Sequence, residues 1–301
     1  MNIKKIALYV CLSITYLLCF QSDLIAAPQG KLKAASAIVM NANTGRILYA
    51  KNPDKPIQPA SLTKILSLYL VHEAIKEGKI TLSDRVKISL DAQLTGGSSM
   101  YIVDDTEVVL DDLIKGMAVM SANDACVAVA EHVGGSVEKF VAMMNAKAQE
   151  LGMTHSHFMN PNGLPAKGQV STARDILKLS HSYIRNFPEA LHLHSIQEYT
   201  YNGITQYNNN SLLKQSANVD GLKTGFISAA GFHLVATAKR GDTRLIAVVM
   251  GEKNPMIRAK ETAGLLEQGF RSIERKGKIS TSRKKLSSQN SPSGFINTPQ
   301  T

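Results

Sequence analysis

Phe232-His-Leu-Val-Ala-Thr-Ala-Lys239, then Arg240-Gly-Asp-Thr243, then Arg244-Leu-Ile-Ala-Val-Val-Met250 reads as two strands around a tight turn. Apolar and β-branched residues fill both runs, and the Gly-Asp pair supplies the turn chemistry. Leu222 to Ile227, just upstream, is a third strand candidate. The matching signal lies at the other end of the chain. Ser36-Ala-Ile-Val-Met-Asn-Ala42 reads as a strand, Asn43-Thr-Gly45 as its turn and Arg46-Ile-Leu-Tyr-Ala-Lys51 as the returning strand. Between these ends the apolar spacing is helical. Leu62, Ile65, Leu66 and Tyr69 make one face, and Leu110, Leu113, Ile114 and Met117 another. Ala125 to Val133, stopped by Gly134-Gly135, is nearly all apolar and therefore buried. Phe140–Leu151, Arg174–Ile184 and Ile257–Ile273 are further helices. The pattern predicts an α+β fold, with one antiparallel sheet formed by N- and C-terminal strands. Helices pack on that sheet, and the middle is mostly helical.

The N-terminus has Lys4 and Lys5, an apolar run of 15 residues from Ile6 to Phe20, then small residues at Ala26 and Ala27. This is the order of a secretory signal, and the run is shorter than the roughly 20 residues that span a bilayer comfortably. Residues 1–27 are therefore read as a signal peptide cleaved after Ala27, with a retained anchor as the alternative. Cys11 and Cys19 fall inside it, so the mature chain keeps Cys126 alone and cannot form an internal disulfide. Residues 28–276 are read as one catalytic domain, large enough to bury its own core. The net charge is +10, unevenly placed: seven basic residues face one acid between Arg271 and Lys285. Residues 277–301 are read as a basic, Ser-rich, disordered tail, the other reading being electrostatic contact with anionic lipid or wall polymer. An exported chain is a poor candidate for nucleic acid.

Three short patterns carry chemistry: Ser61-Leu-Thr-Lys64, Ser121-Ala-Asn123 and Lys223-Thr-Gly225. Singly the first is weak, because Ser-x-x-Lys recurs at Ser136/Lys139, Ser211/Lys214 and Ser282/Lys285. Context separates the copies. Ser61 follows Pro59-Ala60 at a helix start, one turn from Lys64 on the same face, beside backbone N–H groups and the positive dipole end. Ser121-Ala-Asn123 falls on a turn between helices, where it can project into a cleft. Lys223-Thr-Gly225 lies on a strand, with Gly225 permitting close backbone approach. A serine hydroxyl needs a base, and a lysine serves only if burial or a second cation lowers its pKa. Lys223 is the natural second cation. His155/His157 and His192/His194 lack the convergent ligands that a metal site needs, and read as exposed or capping side chains. The residues imply no metal and no cofactor.

In that order the three patterns resemble the penicillin-binding protein and serine β-lactamase superfamily. The flanking segments Pro59–Lys64, Gly97-Ser-Ser-Met100, Ser121–Cys126, Ser171-Thr-Ala-Arg-Asp175 and Asp220–Gly225 are similar to the low-molecular-mass D-alanyl-D-alanine carboxypeptidases. The resemblance covers about residues 33 to 275. It implies that Ser61 is acylated by the penultimate D-alanine of a peptidoglycan stem peptide, with Lys64 as base. Ser121 relays a proton to the leaving amine, Asn123 orients Lys64 and substrate, and Lys223 supplies the field that keeps Lys64 neutral. Thr224 and Arg258 hold the terminal carboxylate, Arg258 matching by its distance from Lys-Thr-Gly alone. The N–H groups of Ser61 and Phe226 form the oxyanion hole, and Gly225, which permits close backbone approach, is counted with the substrate-binding residues. β-Lactams are expected to trap the acyl-enzyme, and the location implied is the periplasm or cell-envelope exterior.

The chain departs from the family pattern in two ways. Phe226 stands where many members have His, which implies altered substrate preference, since the proposed role is a backbone donor. Larger members carry a β-rich second domain and an amphipathic C-terminal anchor, and residues 277–301 lack that amphipathic pattern. Three rivals stay open on the sequence: an endopeptidase cutting D-alanyl cross-links, a silent wall-binding or penicillin-sensing module, and a β-lactamase. The last needs a glutamate-bearing loop between the second and third motifs, whose pattern is missing.

Overall fold

The computed structural model describes residues 32–289. The signal reading at 1–27 lies outside these residues, as does the end of the tail. The N-terminal hairpin is β1 (Ser36–Asn41) and β2 (Ile47–Lys51). The helical middle contains α1 (Lys64–Lys76), α2 (Asn123–Gly134), α3 (Val137–Glu150) and α4 (Ala173–Asn186). Two small hairpins interrupt it, β3 (Arg85–Lys87) with β4 (Glu107–Val109), and β5 (Glu198–Tyr201) with β6 (Ile204–Tyr207). The chain then returns through β7 (Val219–Ile227), β8 (Gly231–Arg240) and β9 (Thr243–Glu252) and ends in α5 (Pro255–Gln289).

The main sheet has five antiparallel strands in the order β2-β1-β9-β8-β7. β1 pairs directly with β9, Ile38 opposite Val248 and Met40 opposite Ile246, so the two ends of the domain close one sheet. Alternation along these strands explains why both faces are covered. Ile38, Met40, Ile246 and Val248 join the core beneath the helical middle, with Leu66, Phe140, Tyr183 and the α2 side chains. Ala37, Val39, Leu245, Ala247 and Val249 point the other way, onto Ala259, Leu265, Leu266 and Phe270 of α5. Each large apolar side chain buried here contributes about 1.5–3 kcal/mol, so the sheet is held from both sides.

β7 is one of the two edge strands, and it carries Lys223-Thr-Gly225. Its outer backbone is not left bare. Asn210 Nδ2 donates to Gly221 O at 3.1 Å, and His194 Nδ1 meets Leu222 O at 3.0 Å. Arg244 on β9 reaches the Asp220 carboxylate through both Nη atoms, at 2.8 and 2.7 Å. The edge is thus pinned on the stretch before Lys223.

Two expectations change. α5 is helical as far as Gln289, past the 276 boundary where the sequence reading began a disordered tail. No proline interrupts that stretch before Pro292, so the backbone can continue. His194 is fully buried rather than exposed, because both ring nitrogens find partners, Leu222 O and Tyr183 Oη. Its neighbour His192 and the pair His155/His157 are exposed as read. Among the described residues no helix is long and apolar enough to cross a membrane.

Candidate active site

Ser61 lies on a 3-10 turn, Ala60–Thr63, that leads into α1, rather than on the α-helix itself. Ala60 before it has φ +49, a left-handed conformation that L side chains adopt at a cost of order 1–3 kcal/mol. The surroundings impose it. Gly163, at φ +86, approaches so closely that a Cβ there would lie 1.9 Å from Ala60 O. Gly225 of β7 presses from the other side, a Cβ there meeting Pro59 O and Ser61 N at 3.2 Å. The Ser61 turn is clamped between two glycine-bearing segments.

Lys64 opens α1 and is fully buried. Its amine lies 2.6 Å from Asn123 Oδ1, 2.7 Å from Asn162 O and 3.2 Å from Ser61 Oγ. The orientation of the Asn123 amide follows from its other end, where Nδ2 donates to Gly96 O at 2.7 Å. Oδ1 therefore faces Lys64 as an acceptor. Burial pushes the Lys64 pKa down from 10.5 to about 8.

Ser121 ends the π-helical turn Gly116–Met120 and holds φ +64, a second left-handed residue at the site. Lys223 Nζ donates to Ser121 Oγ at 2.9 Å and to Thr224 O at 3.0 Å. Burial drives the Lys223 pKa well below its usual value, and the charges of Lys64 and Arg258 drive it further. The repulsion between the two buried ammonium groups is mutual, so a charge on either one disfavours a charge on the other.

Asp124, next to Asn123, sets the wall opposite. Its carboxylate accepts from Ser99 Oγ at 2.6 Å and from the N–H groups of Met100, Ile102 and Ala125. These bonds hold the Gly96–Ile102 loop, placing Gly96 O on Asn123 and Ser98 on the cleft. Arg258, in the first turn of α5, is only 5% exposed rather than a surface charge. Its Nη1 and Nη2 donate weakly to His233 O and Asn209 O at 3.3 and 3.4 Å. Its Nε finds no partner among the described residues.

Ser61, Ser98, Ser121, Thr224, Gly225 and Arg258 together line a cleft of about 400 Å³. All nine residues singled out on the sequence thus converge, either lining that cleft or bonded directly to a residue that does. Asn162, Gly163, Asp124 and Ser98 were missed. Asn160-Pro-Asn-Gly163 reads as an ordinary turn, and a backbone carbonyl such as that of Asn162 leaves no residue-type signal.

The model of the family described as D-alanyl-D-alanine carboxypeptidase matches residues 23–254. The chain belongs to this family. It is 45% identical over 248 residues to the D-alanyl-D-alanine carboxypeptidase DacC of Escherichia coli K12, covering 80% of this chain and 62% of that relative. The chain thus spans about three-fifths of the length of that relative. Among solved structures, penicillin binding protein 5 of Haemophilus influenzae superposes with a TM-score of 0.79 at 40% identity, over 81% of this chain and 73% of that one. Penicillin-Binding Protein D2 of Listeria monocytogenes, solved in its ampicillin-bound form, gives 0.74 at 33% identity, over 81% and 100%. The family fold agrees with the α+β sheet described above.

Proposed function

We propose that this chain is a serine D-alanyl-D-alanine carboxypeptidase that removes the terminal D-alanine of peptidoglycan stem peptides and is acylated by β-lactams. One observation carries the reading: how the three contacts of the buried Lys64 amine divide. Asn123 Oδ1 and Asn162 O can only accept, and they use two N–H bonds. A neutral amine then has its lone pair left for Ser61 Oγ, the one neighbour able to donate. That is the geometry of a base beside a nucleophile.

The steps follow from it. Ser61 Oγ attacks the carbonyl of the penultimate residue as its proton passes to Lys64 Nζ. The oxyanion is met by the N–H groups of Ser61 and Phe226, donors worth a few kcal/mol when preorganised. Lys64 returns the proton through Ser121, itself held by Lys223, to the departing amine, and the C–N bond breaks. Thr224 and Arg258 hold the carboxylate of the leaving residue, for which a planar, incompletely paired guanidinium is suited. Water then cleaves the ester and regenerates Ser61. The N-terminal pattern supports export, to the cell-envelope exterior where such peptides are found.

Intact mass after penicillin treatment is expected to show one covalent adduct, abolished by Ser61→Ala; an adduct that survives the substitution overturns the nucleophile. A pentapeptide-bearing wall fragment is expected to yield free D-alanine. Cleavage of a cross-linked dimer in its place would make the protein an endopeptidase, and labelling without turnover of either would make it a sensor.

A further inference from the structure

Around Arg258 the cleft has a composition that alanine release does not require. Phe226 is 51% exposed on its rim. Its ring stacks on that of Phe232, with centroids 4.2 Å apart and planes 26° from parallel. Both rings and Pro255 line the same cleft as Arg258. The connection is short in the chain as well: Arg258 donates to the carbonyl of His233, the residue after Phe232. The helix start adjoining Arg258 offers no competing anion donor, since Asn254 Oδ1 already accepts from the N–H groups of Met256 and Ile257. One end of the cleft therefore joins a single incompletely paired cation to an open aromatic face.

We propose that this end is a side-chain subsite, and that the residue released can be a D-amino acid with an apolar or aromatic side chain. The inference rests on the reading above. If Thr224 and Arg258 hold the leaving carboxylate, the side chain, borne on the carbon next to it, falls within reach of the lining next to Arg258. A methyl group covers little of a stacked phenyl pair, whereas a leucine or phenylalanine side chain covers it and displaces water from it. Charge fixes the carboxylate, and the aromatic pair discriminates among side chains.

The test uses the full chain and three otherwise identical peptides ending in D-alanyl-D-alanine, D-alanyl-D-leucine and D-alanyl-D-phenylalanine. The released amino acid is quantified to give kcat/KM. The native protein is expected to cleave the leucine and phenylalanine peptides at least as efficiently as the alanine peptide. In Phe226→Ala the ratio of kcat/KM for phenylalanine over alanine is expected to fall about tenfold, the scale of one lost apolar contact in a pocket. Phe226→Leu keeps apolar area without the ring stack and should fall between. A native protein that disfavours the larger residues, or a ratio unmoved by Phe226→Ala, overturns the subsite while leaving the carboxypeptidase reading intact. Failure to cleave any of the three, with ampicillin still labelling Ser61, overturns that reading and the subsite with it.

Discussion

Two of the three groups around the Lys64 amine are carbonyl oxygens, and other bonds hold both residues, Asn123 Nδ2 donating to Gly96 O and the Leu164 N–H to Asn162 Oδ1, which keeps the amine beside Ser61. In the proposed mechanism its working form is the neutral one, and burial has lowered its pKa from 10.5 to about 8. Deprotonation proceeds as pH rises, so acylation by a β-lactam should accelerate from pH 6.5 through about 8 and level off above. Adduct formation timed by mass across that range checks the limb. Lys64→Arg keeps the charge but has no accessible lone pair. It should slow acylation roughly hundredfold to ten-thousandfold, the range for removing a general base. Residue type made Ser61, Lys64, Asn123 and Lys223 legible, since few side chains can do this chemistry. Asn162 was illegible because it acts through a carbonyl that every residue has.

At the scale of elements, the site depends on segments that touch without regular pairing. Gly163 holds the Asn160–Leu164 loop against Ala60, and Ser67 Oγ anchors the same loop at Pro161 O, 2.6 Å away. Gly163→Ala brings a Cβ into the Ala60 backbone at φ +86, so the loop or the Ser61 turn must move. A loss of about 2–3 kcal/mol in urea unfolding is expected, large for one substitution, together with slower penicillin labelling. Gly45→Ala is the comparison: its φ is +71 but nothing stands within 4 Å, so only a backbone cost of about 1–2 kcal/mol applies. Asp124→Ala frees the Gly96–Ile102 loop and should lower kcat/KM on D-alanyl-D-alanine peptides while a circular-dichroism spectrum stays native. The strands of the main sheet were legible because they are continuous apolar runs. The β5–β6 hairpin was not, since Glu198–Tyr201 and Ile204–Tyr207 are half exposed and mixed in composition.

Across the whole molecule, buried neutral histidines tie the sheet to the site. His194 sits between Tyr183 Oη and Leu222 O, and burial lowers its pKa to about 3. His233 sits between Gln58 O at 3.0 Å and the Gly251 N–H at 2.9 Å, with a pKa lowered to about 4. In the unfolded chain both titrate near 6.5, so that state binds more protons between these values. Stability is therefore expected to be full above pH 6.5 and to fall as pH drops toward 3. Chemical unfolding at stepped pH checks this, and His194→Gln should flatten the slope whatever it does to stability at pH 7.

What the sequence determined by itself was the inventory: sheet strands at both ends, helices between, and the serine, lysines and asparagine of the site. These follow from apolar periodicity and from side-chain chemistry, both local properties. Tertiary structure alone decided which carbonyls face Lys64, that Lys64 and Lys223 are both buried, and that Arg258 and His194 are buried. It also set Phe226 and Phe232 beside Arg258. Those outcomes depend on how far apart segments pack, because desolvation and hydrogen-bond direction come from neighbours distant in the chain.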